Sequence, residues 1–119
     1  MEKFSFGAEV AFTPPERLLQ AVTVAPLTQP IAAGGVLQAA ILRIAPNGRI
    51  GRHPATTPQI LAVLDGGGEV SGSSDVLESV AKGDAVYFAE GEQHEIRTTE
   101  GLTALVLEAP GLAPFRGKS

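Results

Sequence analysis

Gly51-Arg52-His53-Pro54-Ala55-Thr56-Thr57-Pro58-Gln59-Ile60-Leu61-Ala62-Val63-Leu64-Asp65-Gly66 is the stretch on which the reading of this 119-residue chain turns. Its first part is broken by prolines, and its second is a continuous apolar run that stops at a glycine cluster. Both residues punctuate regular structure, so Gln59 to Leu64 reads as a strand entered from a turn. Alternation puts Gln59, Leu61 and Val63 on one face and Ile60, Ala62 and Leu64 on the other. Both faces are largely apolar, which suits a strand covered on both sides. His53, one of the chain's two histidines, stands just ahead of the run.

Outward from this stretch the same rhythm continues, a short apolar run and then turn formers. The runs are Leu18 to Val24, Val36 to Ala45, Glu69 to Ser71, Val76 to Val80, Ala85 to Ala89, His94 to Thr98 and Leu102 to Glu108. Pro46-Asn47-Gly48, Gly72-Ser73-Ser74-Asp75 and Glu90-Gly91-Glu92 are among the breaks, and Gly66-Gly67-Gly68 reads as a hairpin turn. Such spacing predicts an all-β sandwich or barrel. In Val36 to Ala45, Ala40, Leu42 and Ile44 share one face while Arg43 points to the other. A turn of helix is expected only over Pro14 to Ala21, where prolines precede good helix formers.

Composition limits the function classes. At 44% hydrophobic and 18% charged the chain is too apolar to be disordered, and 14 Gly with 9 Pro imply many turns in one domain. The net charge is −4 and the few Lys and Arg are scattered, so neither nucleic acid nor a membrane surface is an expected partner. The absence of Cys excludes disulfides, thiolate metal sites and thiol nucleophiles. No apolar run nears the roughly 20 residues that span a bilayer. The start, Met1-Glu2-Lys3-Phe4, has no secretory pattern, so a cytoplasmic location is the expectation.

The second histidine closes the segment Gly83-Asp84-Ala85-Val86-Tyr87-Phe88-Ala89-Glu90-Gly91-Glu92-Gln93-His94. Together the two histidine segments resemble the two motifs of the cupin superfamily. The first motif of that family holds a His-x-His pair, then a Glu and a Gly; the second holds Gly, Pro-x-Gly, His and Asn. Here His53 matches the first His, Gln59 stands where the Glu would be, and Gly66 matches the Gly, while Ala55 replaces the second His. Gly83, Gly91 and His94 match the second motif in register, with Ala89 in place of the proline and Thr98 in place of the asparagine. The resemblance implies an all-β, cupin-type double-stranded β-helix, a jelly-roll barrel. It would form a single domain over residues 1–119, with its core at about 36–108 and an N-terminal arm, 1–35, available for dimer contacts.

Metal-binding cupins present three His and one Glu to the ion, leaving positions open for substrate. Imidazole suits Zn, Fe and Ni, and a carboxylate supplies compensating charge. The metal set carried over here shrinks to His53, Gln59 and His94, all neutral, so a divalent metal (Zn, Fe, Mn or Ni) would be weakly held. The resemblance therefore implies a small-molecule-binding cupin with a degenerate metal site, in a binding or sensor role. Its ligand contacts would be His53, Gln59, His94, Leu61 and Phe88. The alternative is a metal-dependent enzyme of isomerase or dioxygenase type that uses His53, Gln59 and His94 as ligands. No catalytic residue is assigned.

Ala40, Leu42, Ile44, Leu61, Val63, Val86 and Phe88 are expected to wall the pocket. Changing Ala55 to His and Gln59 to Glu together is expected to restore a four-ligand site without disturbing the fold. Glu90, Glu92 and Glu95 crowd the second motif as candidates for an added carboxylate ligand but read better as solvated loop acids, Glu95 pointing away from its neighbour His94. Ser71, Ser73 and Ser74 have no histidine in register for a nucleophilic triad. Ile41, Ile60 and Leu105 on the outer faces would leave a large apolar patch, so a homodimer is expected, with Phe4, Phe6 and Phe12 contributing.

Overall fold

The structure, a computed structural model, describes residues 1–13, 15, 24–29 and 37–116. Apart from Pro15, the expected helical turn over Pro14 to Ala21 lies outside the described residues, as does the run Leu18 to Val24 except Val24. The strands are β1 (Glu2–Ser5), β2 (Gln38–Ile44), β3 (Arg49–Pro54), β4 (Gln59–Ser71), β5 (Glu78–Ala81), β6 (Asp84–Phe88), β7 (Gln93–Arg97) and β8 (Leu102–Glu108). A short 3-10 turn covers Ala8–Val10, and the strand pairings are antiparallel. Among the described residues no helix is long and apolar enough to cross a membrane.

The 13 residues of β4 organise the molecule. Its first half pairs with β6 and β8, and its second half pairs with β5 and β7. One layer is thus ordered β1-β6-β4-β8-β2, and the other β5-β4-β7-β3. Gly66-Gly67-Gly68 is therefore not a hairpin turn. It is the bend at which one strand passes from layer to layer, next to a bulge between Val63 and Asp65 in the ladder with β8. Glycine is required there because Gly66 has φ +73°, and a side chain on it would strike the carbonyl of Gly101. At Gly68 a side chain would strike the carbonyl of Arg97. The two layers, joined through β4, form a jelly-roll barrel.

Alternation along the strands fills the interior in rows. Val86, Leu61, Val106 and Ala40 stand opposite one another across β6, β4, β8 and β2, followed by Val63, Ala104 and Leu42. Ile50, Ile96 and Val70 face them from the second layer. The outer side of the first layer also has a core. Ile60, Ala62 and Ala85 pack with Ala109 and Leu112 beneath Phe4, Phe6 and Leu27.

This outer core revises the expected patch. Ile60 is fully buried and Leu105 packs into the outer core, both covered by segments of the same chain, and only Ile41 of the three remains exposed. The N-terminal arm begins as β1, paired to β6, and its Phe4 and Phe6 are used internally.

Candidate functional site

One row of inward positions at the mouth of the barrel carries polar groups. On β4, Gln59 stands opposite Phe88 of β6 on one side and Glu108 of β8 on the other. Glu108 continues the inward phase of Leu102, Ala104 and Val106, so its carboxylate enters the same interior. From the second layer, His53 of β3 stands opposite His94 of β7. Regular alternation from Ile50 would turn His53 outward. A register shift between Ile50 and His53 reverses the phase and brings both to the interior.

These groups share a cavity of about 230 Å³. Its polar lining is His53, Gln59, His94 and Glu108; β2 supplies Ala40, Ile41 and Leu42, and Leu61, Phe88 and Val106 add to the apolar wall. The three motif residues, with Leu61 and Phe88, thus come together. Ile44, Val63 and Val86 belong to the packed core and do not line the cavity. Ala55 does not line it either: it is 3% exposed within the core, so an imidazole there would overpack the barrel rather than add a ligand. A larger open cleft of about 630 Å³ contains Arg49, Glu69, Arg97 and Glu100, but no histidine, and its Arg97 is paired with Glu69 at 3.4 Å.

The imidazoles are held in one tautomer. His53 Nδ1 lies 2.8 Å from the carbonyl oxygen of Gly51, and His94 Nδ1 lies 3.2 Å from that of Glu92. A carbonyl only accepts, so Nδ1 carries the proton in each ring and Nε2 keeps its lone pair when the ring is neutral. His94 is 6% exposed, stacked on Phe88 at 4.3 Å and 20°, with His53 tilted against it at 4.3 Å. Burial pushes the His94 imidazole below its ordinary range; the carbonyl of Glu92 opposes the shift and His53 adds to it. His94 is accordingly neutral at pH 7. Across the mouth, Gln59 Nε2 donates to Glu108 Oε1 at 2.6 Å.

Glu92 supports this arrangement and is not a solvated acid. Its carboxylate pairs with the Met1 amine and accepts from the N–H groups of Ser73 and Ala89, while its carbonyl anchors His94 and receives the N–H of Ala55. Burial alone would raise its pKa, but these donors outweigh burial and hold it at about 2. Glu95 lies on the outer side, accepting from the Ser71 hydroxyl at 3.3 Å, and Glu90 is exposed. Glu108 and Glu92 are the site residues that sequence reasoning missed. The strand phase of Leu102, Ala104 and Val106 was a usable signal for Glu108.

The donor set does not fit a resident metal ion. Among the described residues no three His, Asp or Glu side chains come close enough to hold one. The motif residues offer only neutral donors, two imidazoles and the Gln59 carbonyl oxygen, and so no charge to offset a divalent ion.

Neither a model of a known protein family nor a curated protein sequence matches the chain. Solved structures do. A cupin-2 domain protein from Shewanella frigidimarina superposes with a TM-score of 0.54 at 16% identity, over 68% of this chain and 78% of that one. The chain has the cupin fold. A protein from Bacillus halodurans, BH2720, gives a TM-score of 0.58 at 26% identity over 66% of this chain and 65% of its own. The DMSP lyase DddQ from Ruegeria pomeroyi gives 0.59 at 25% over 69% of this chain, but only 45% of the lyase is covered. The structures similar to this chain thus include an enzyme, while the fold leaves the reaction open.

Proposed function

We propose that this cupin domain is a small-molecule-binding module, in a binding or sensor role, that holds its ligand without a resident metal. The observation that carries the reading is the interior cavity of about 230 Å³, with an apolar wall and one cluster of four polar side chains at its mouth. That is the make-up of a ligand site, in which apolar surface supplies affinity and a few polar atoms fix orientation. Its volume equals roughly eight water molecules at ~30 Å³ each, which suits a compact organic ligand.

The experiment is a small-molecule screen by NMR on tag-free protein, repeated on a Leu61→Trp variant, with metal analysis of the same preparation. Hits that map to Gln59, His94 and Glu108 and vanish in the variant, with metal well below one ion per chain, are the expected result. Stoichiometric metal that survives dialysis, with binding lost on chelation, would return the metal-dependent alternative built on His53, Gln59 and His94.

A further inference from the structure

The cavity's hydrogen-bonding inventory is one-sided. Each imidazole places its Nδ1 proton on a backbone carbonyl, which leaves Nε2 as an acceptor in the neutral ring. Gln59 commits its amide nitrogen to Glu108 Oε1, leaving its carbonyl oxygen and one amide hydrogen. Glu108 keeps its second carboxylate oxygen. The free valences are thus nearly all lone pairs.

Charge points the same way. Among the described residues no lysine or arginine lines the cavity, and none forms an ion pair with Glu108. A carboxylate at the mouth of an apolar cavity, satisfied by one neutral amide, favours an arriving cation and opposes an anion. The remaining wall, from Ala40, Leu42, Leu61 and Val106, matches a short hydrocarbon chain.

Resting on the ligand-binding reading above, we propose that the cavity selects a small primary ammonium ligand. The ligand's N–H groups would meet Glu108, Gln59 and the imidazole Nε2 atoms, and its alkyl part would meet the apolar wall. Ligands bearing a carboxylate are disfavoured by Glu108. Neutral alcohols of the same size can donate one hydrogen bond but gain nothing from the charge.

The test uses three near-isosteric probes, n-propylammonium chloride, 1-propanol and sodium propionate, titrated into the full chain at pH 7.5 and constant ionic strength. Backbone amide shifts of Gln59, His94 and Glu108 are followed. Propylammonium is expected to bind at least ~10-fold more tightly than propanol, as a charge-assisted contact should. Propionate is expected to leave these signals unmoved. In Glu108→Gln the preference for propylammonium over propanol should disappear. Should that variant fold poorly, the wild-type protein still decides: added salt should weaken propylammonium and leave propanol unaffected. Equal affinity for the amine and the alcohol, or tighter binding of propionate, overturns the ammonium proposal while the ligand-binding reading stands. No response at the cavity to any of the three overturns both.

Discussion

Replacing Ala40 with leucine should stabilise the protein while closing its cavity. Ala40 lies on β2 opposite Val106, and both line the cavity. Leucine adds three carbons, worth at most ~2.4 kcal/mol at ~0.8 kcal/mol per buried CH₂. Ala40 is itself exposed, so only part of the added surface is removed from water and about 1 kcal/mol is the working figure. Unfolding entropy near ~2.1 cal/mol/K per residue gives roughly 0.25 kcal/mol/K for the whole chain, so the melting midpoint should rise by about 4 °C. Ligand affinity should fall in parallel, the usual exchange when a functional cavity is filled. Thermal denaturation followed by circular dichroism, together with the propylammonium titration, measures both. A midpoint several degrees lower with unchanged binding would refute the reasoning, because it would place the Ala40 side chain outside the cavity.

Gly66→Ala should cost at least ~2 kcal/mol, since φ +73° is disfavoured for any residue with a Cβ and the added carbon meets the carbonyl of Gly101; an unchanged melting midpoint would remove the layer-switching bend. Stability should also fall on mild acidification. Burial lowers the His94 pKa in the folded state, so below about pH 6.5 the unfolded chain binds more protons than the folded one. The contribution is complete above that pH and is lost as pH falls toward the depressed folded value. His53, Glu92 and Arg52 all face this ring electrostatically, so the control is His94→Gln. Denaturant midpoints at pH 7.5 and 5.5 should differ more in the parent than in that variant, and equal differences would contradict the buried, neutral assignment.

The parts of the fold legible in the sequence are those governed by local pattern. β2, β6, β7 and β8 coincide closely with apolar runs bounded by Gly, Pro and Asn. β3 was hidden because Arg49-Ile50-Gly51-Arg52-His53-Pro54 has neither alternation nor β-rich composition, and its strand character comes from pairing with β7. The continuity of β4 was hidden because three glycines signal a turn locally, whereas the barrel uses them for a close backbone approach.

The site divides in the same way. His53, Gln59 and His94 were legible through the spacing of two motifs. Glu108 was not, because its role depends on the register that sets it opposite Gln59, 49 residues away in the chain. Glu92 reads as a loop acid until the fold brings Met1, Ser73 and Ala89 to it.

The most direct measurement is the side-chain nitrogen NMR spectrum of His53 and His94 at pH 7.5, recorded before and after a chelator and then with propylammonium. The account predicts that both rings donate from Nδ1, with His94 neutral, and that the Nε2 signals ignore the chelator and move when the amine is added. Nε2 signals bearing a metal-coordination shift that collapses on chelation would contradict the central claim of a metal-free ligand cavity.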